Sequence, residues 1–145
     1  MYAGFLIAAL LAAEPSKSEA KKTMRELEGV WTCESATING RKLDEATVKS
    51  LKLTLKGEQY KTERGDEVLF DSTYSLDTKA DPKRIEMVGT EGDLKGKPAL
   101  GIYKLDRDRL IMCYTMPGQE RPRDFKSEEK SEAYLLVWRR AEKSK

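Results

Sequence analysis

From Gly29 to Arg140 the apolar positions come in short runs separated by turn-forming residues, at roughly twelve-residue spacing. Eight of these runs predict β-strands: Val30–Ala36, Leu51–Lys56, Gln59–Glu63, Val68–Leu76, Arg84–Val88, Ala99–Leu105, Arg109–Tyr114 and Tyr134–Arg140. Between them lie Asn39-Gly40, Gly57-Glu58, Gly65-Asp66, Ala80-Asp81-Pro82, Gly92 to Gly96, Asp106 to Asp108 and Pro117-Gly118. Most of these are tight turns, which join antiparallel neighbours. Leu51, Leu53 and Leu55 alternate with Lys52, Thr54 and Lys56, and Ile85 and Met87 lie opposite Arg84 and Glu86. Because successive side chains in a strand point to opposite faces, each run has one core side and one water side. ALGIYKL and RLIMCYT are apolar on both faces. Their outer face is expected either to lie under the helix or a long loop, or to form an exposed interaction patch.

The regular spacing predicts an all-β fold, an eight-stranded antiparallel up-and-down barrel with a short N-terminal helix. Thr23 is placed to cap that helix, with Met24 and Leu27 on one face and Gly29 as the stop, so that it closes one barrel end. In a closed meander the first and last strands are neighbours. Trp31 at the start of one and Arg139-Arg140 at the end of the other then meet, and a guanidinium stacks on the indole. Gly29, Trp31, Arg139 and Arg140 therefore form the expected structural signature. Residues 37–50 and 115–133 are longer than a hairpin requires, and long loops on a β scaffold commonly carry recognition.

This Gly-x-Trp and C-terminal arginine pairing resembles the signature of the calycins, which include lipocalins and fatty-acid-binding proteins. LEGVWTCESATINGRKL, LKLTLKGEQY, TEGDLKGKPALGIYKLDRDRLIMCY, PGQERPRDF and LLVWRR together resemble a lipocalin-like domain family of unknown function found in exported planctomycete proteins. The resemblance implies the barrel and no established activity. Cys33 departs from the family pattern, in which an aliphatic residue is expected.

Residues 1–13, MYAGFLIAALLAA, hold no charge and run unbroken in apolar residues from Phe5 to Ala13 before Glu14-Pro15-Ser16-Lys17 turns polar. This reads as a signal peptide. The run falls short of the about 20 residues a spanning helix needs, so the mature chain is expected in the periplasm or outside the cell, without stable membrane insertion. Residues 14–22 read as a polar linker, 23–141 as the barrel domain and 142–145 as a polar tail.

The 145 residues carry 27 basic and 25 acidic side chains, interleaved, for a net charge of +2. That pattern offers no phosphate-binding face, and no nucleic-acid partner is expected. Histidine is absent, which removes the commonest general base, the usual nucleophile pairings and nearly every catalytic zinc sphere. Glu91 and Asp93 near Lys95 and Lys97, and Asp124 near Arg121, are chance neighbours in a charge-rich chain. No catalytic residue, metal or cofactor is assigned. Cys33 and Cys113 are either two buried thiols or one disulfide.

Two functions follow. In the first, a monomeric barrel takes a small hydrophobic molecule in its lumen, with Leu53, Phe70, Tyr74, Met87, Tyr103 and Met112 as lining candidates. In the second, the barrel is filled by side chains and the 115–133 loop docks an envelope protein through Arg121 and Phe125; the alternative for these two residues is structural, with Arg121 capping strand carbonyls and Phe125 plugging the barrel end.

Overall fold

A computed structural model describes residues 15–141; the expected signal peptide, 1–13, and the tail, 142–145, lie outside the described residues. Helix α1 (Pro15–Leu27) leads into β1 (Gly29–Ile38), a two-residue strand β2 (Arg41–Lys42) and a short helix α2 (Glu45–Lys49). Seven strands follow: β3 (Leu51–Lys56), β4 (Gln59–Arg64), β5 (Glu67–Asp77), β6 (Arg84–Gly89), β7 (Pro98–Asp106), β8 (Arg109–Thr115) and β9 (Ala133–Arg140). Each of the eight long strands pairs antiparallel with the next, and β1 also pairs with β9, so the sheet closes into a barrel. Closure leaves no edge among these eight strands to template pairing with another chain.

The alternation read from the chain is obeyed. Leu51, Leu53 and Leu55 are buried while Lys52 and Lys56 are exposed, and Ile85 and Met87 are buried beside exposed Arg84. Two bulges interrupt it. On β1 the register shifts between Cys33 and Ser35, and Glu34 forms a two-pronged ion pair with Arg109, with bonds of 3.0 and 2.8 Å, on the outer wall. On β4–β5 it shifts between Thr62 and Glu63, so Phe70 faces Thr62 while Val68 faces Glu63. A bulge adds a residue and turns the strand locally; here the added residue is Leu69.

The first helix corrects the expected linker. Residues 15–22 belong to α1, and Thr23 lies inside the helix instead of capping it. The physical reason is a stripe masked by charge. Ala20, Thr23, Met24 and Leu27 recur at the three- and four-residue spacing of one helix face, and they are the less exposed positions of the segment. Glu19, Lys21, Lys22 and Arg25 are good helix formers on the wet side. Pro15 is tolerated because it opens the helix.

Leu27, 1% exposed, packs into the core and closes one end of the barrel. At that end Trp31, fully buried, lies directly opposite Arg140 across the β1–β9 ladder. The Arg140 guanidinium carbon sits 4.3 Å from the centre of the indole. Its Nη1 and Nη2 donate to the carbonyls of Glu28 and Glu26 at 3.2 and 2.9 Å, and Trp31 Nε1 donates to the Leu27 carbonyl at 3.0 Å. One cation thus ties the helix end, the first strand and the last strand together. Arg139 takes no part in it; one residue along the strand it points outward and lies 3.5 Å from Glu34.

The doubly apolar strands are explained by the connection between β8 and β9, residues 116–132, which crosses their outer face. Phe125 from this strap packs on Ile102, Cys113 and Ala133, which form a second small core outside the barrel wall. Cys113 Sγ bonds the Lys126 carbonyl at 3.4 Å, and Lys104 covers the Phe125 ring at 4.7 Å. Asn39 and Gly40 anchor the far end of the strap. Both have positive φ, 51° and 81°, as a two-residue hairpin turn requires, and a side chain on Gly40 would sit 2.5 Å from the Glu129 backbone nitrogen. Cys33 belongs to the interior core and Cys113 to the outer one; both thiols are free, which removes the disulfide alternative.

Candidate functional site

With α1 sealing one end, the opposite end carries a cavity of about 300 Å³, at the lower limit of small-ligand sites. That end is built from the close of β1, the β4–β5 hairpin, the start of β9 and the segments that follow β1, β6 and β8. Leu43 follows β2, and α2 is held by the Asp44 carboxylate, which accepts from Thr47 N–H at 2.7 Å, so that Thr47 also faces the cavity. Leu94 enters from the short 3₁₀ turn Gly92–Leu94. Leu51, Phe70 and Leu136 supply apolar wall.

Polar groups are sparse. Tyr114 and Tyr134, neighbours in the β8–β9 ladder, stack with centroids 5.1 Å apart and planes 14° from parallel. Trp138, fully buried, ends the cavity four residues further along β9 than Tyr134, a depth of about 13 Å at a strand's rise. Its indole N–H has no hydrogen-bond partner, an orphaned donor in a mainly apolar site. At the rim stands Arg64, the only charged side chain lining the cavity among the described residues.

The six lining candidates named from the sequence all face the interior, but only Phe70 reaches the cavity. Leu53, Met87 and Met112 are fully buried, Tyr74 and Tyr103 nearly so, and they fill the half of the barrel beneath α1. Residues the sequence reading missed, Leu51, Thr62, Tyr134, Leu136 and Trp138 among them, also lie on inward positions. Strand alternation marks them as interior but carries no information on which end stays open. Arg64 lies one residue beyond the strand that the sequence pattern predicts, Gln59–Glu63; β4 continues through it and places it opposite Leu51.

The two loop candidates are engaged within the chain. Arg121 Nη1 donates to the carbonyls of Ile85, at 2.9 Å, and Gly101, and burial together with nearby Arg84 lowers its pKa from the ordinary guanidinium value. Phe125 lies on the outer wall under Lys104. Glu91, Asp93 and Lys95 flank or form the Gly92–Leu94 turn, where the Lys95 N–H bonds the Gly92 carbonyl. Among the described residues no cluster of three histidine, cysteine or acidic side chains is placed to hold a metal, and no helix is long and apolar enough to cross a membrane.

Burial sets the acid–base behaviour of the interior. Desolvation raises the pKa of Tyr60, Tyr74 and Tyr114 far above the ordinary phenol value and pushes Tyr103 up to about 12. Burial likewise pushes the Cys33 thiol up to about 11. A phenol held neutral by the fold favours the native state fully below its unfolded pKa near 10, and that contribution is lost as pH rises from there through the folded value. An absorbance titration should therefore show these four phenols ionising together with loss of the fold, above pH 10. Ionisation of all tyrosines near pH 10 with the barrel intact would contradict their burial.

A larger hollow of about 640 Å³ between Asn39–Arg41 and Glu129–Lys130 lies outside the barrel and is lined by polar and charged residues; it lacks the apolar wall of the mouth. No protein-family model, no curated protein and no solved structure matches the chain, so the mouth is assigned from its own geometry.

Proposed function

We propose that the protein is an exported, non-catalytic, lipocalin-like barrel that binds one small hydrophobic molecule in the mouth opposite α1. The observation that carries the reading is the division of the interior. One half is filled and capped by Leu27 and Trp31, whereas the other holds about 300 Å³ of space walled mainly by hydrocarbon and aromatic side chains. An apolar guest seated there removes hydrocarbon of both the wall and itself from water, which is the favourable term in binding. The reading of 115–133 as a docking loop is less well supported, because Arg121 and Phe125 spend their binding groups on the barrel itself. Export rests on the apolar run Phe5–Ala13 followed by an abrupt polar change.

The test is titration with N-phenylnaphthylamine, a neutral dye that brightens in apolar surroundings. One saturable site is expected. Leu69, 44% exposed at the rim, can be enlarged without disturbing the core, so Leu69→Trp should weaken dye binding about tenfold with unchanged thermal unfolding. Non-saturable binding, or affinity indifferent to Leu69→Trp, would remove the mouth as the site.

A further inference from the structure

We infer that the mouth selects a singly negative amphiphile of medium chain length, with its acidic head at Arg64 and its apolar tail directed toward Trp138. This assignment rests on the mouth being a binding site and adds the charge, the direction and the length of its guest.

Three observations carry it. First, the inward positions of β4 run Tyr60, Thr62, Arg64: the two deeper ones are an aromatic and a hydroxyl side chain, and the last, at the rim, is a cation. Its partner across the ladder is buried Leu51, an interior residue, whereas Glu63 between them is paired to outward Lys52. The guanidinium therefore stands over the cavity and not on the outer wall. Second, Arg64 already holds one carboxylate. Its Nη2 lies 2.8 Å from Glu67 Oε1 across the hairpin, and both side chains are about half exposed, 52% and 60%. A pair so exposed is weak, and a guanidinium offers five donors in a fork shaped for carboxylate or phosphate. A ligand head can share or take over that fork. Third, among the described residues no acidic side chain lines the cavity, so an entering anion meets no repulsion from them inside, while the hydrocarbon wall and the stacked Tyr114–Tyr134 pair suit its tail. Trp138 ends the path, and the distance from rim to floor limits the tail to a medium chain.

The experiment uses the intact protein and measures displacement of N-phenylnaphthylamine by decanoate and by decanol, which share a tail and differ in charge. Wild-type protein should bind decanoate about tenfold more tightly than decanol, the worth of one charge-assisted hydrogen bond. Arg64→Gln should bring that ratio close to one by weakening decanoate alone, and Glu67→Gln, which frees the guanidinium, should raise the ratio. Added salt should lower it in wild type and leave the Arg64→Gln variant unmoved. Because both side chains are half exposed, these variants are expected to fold, and circular dichroism checks it. Equal displacement by the two compounds, or a ratio insensitive to Arg64→Gln, overturns the charge assignment while leaving the mouth as an apolar site. If neither compound displaces the bound dye, the guest assigned here is wrong; if the dye itself finds no saturable site, the proposed function fails with it.

Discussion

Replacing Trp31 with alanine should cost about 3–5 kcal/mol of stability and lower the melting temperature by about 10 °C or more. The indole is fully buried, so its removal leaves a cavity that the closed β1–β9 and β1–β3 ladders cannot collapse to fill. It also strips Arg140 of the ring beneath it and orphans the Leu27 carbonyl, which accepts the indole N–H. Arg140→Ala should cost less, about 1–3 kcal/mol, through loss of the ring contact and of the bonds to the Glu26 and Glu28 carbonyls. Arg139→Ala is the internal comparison. Its ion pair with Glu34 is long and exposed, and about 0.5 kcal/mol is expected. Denaturant unfolding of the three variants ranks them; equal effects at 139 and 140 would show that the indole–guanidinium contact does not hold the closed end.

The second large effect is expected at Gly101, in the middle of β7. A Cβ there would stand 2.7 Å from Tyr114 Cβ, 2.8 Å from the Cys113 carbonyl oxygen and 3.1 Å from Ile85 Cγ2. Two of those neighbours belong to β8, whose path is fixed by its ladders to β7 and β9, so the strand itself must shift. Overpacking of this kind costs about 1–3 kcal/mol. The Gly101 carbonyl also accepts from Arg121, so displacing the strand loosens the strap from its hold on the wall. The expected result for Gly101→Ala is a lower denaturation midpoint with an unchanged slope, together with faster proteolysis between residues 116 and 132. A midpoint equal to wild type would mean that β7 and β8 approach less closely at this point than described.

Much of the barrel was legible in the chain. Leu51–Lys56 is a strand with the bounds its leucine–lysine alternation predicts, and the other seven runs differ from their strands by a residue or two at one end or both. The meeting of Trp31 with a C-terminal arginine followed from closure alone, although which arginine was settled by register: Arg140 pairs opposite Trp31, and Arg139 points away. The helix over residues 15–22 was illegible because its stripe of Ala20, Thr23, Met24 and Leu27 is thin and set in charge. It becomes a helix face only when the barrel end offers something to cover. The outer apolar face of β7 and β8 was visible as a surplus of hydrophobic residues, but its cover, Phe125, lies in a segment with no periodicity of its own.

The amino-acid sequence by itself determines which side chains face inward, because alternation along a strand is local and a slip of one residue would expose every leucine. It also determines closure, through the matched ends of the first and last strands. Tertiary structure alone decides how deep each inward position lies and therefore which of them fill space and which line it. Met87 and Phe70 obey the same alternation, yet one is core and the other is wall. The difference arises because α1 docks at one end, whereas α2, Leu43 and Leu94 at the other line a cavity without filling it, and the one-residue extension of β4 that sets Arg64 above the opening is a consequence of pairing with Leu51, not of any local preference.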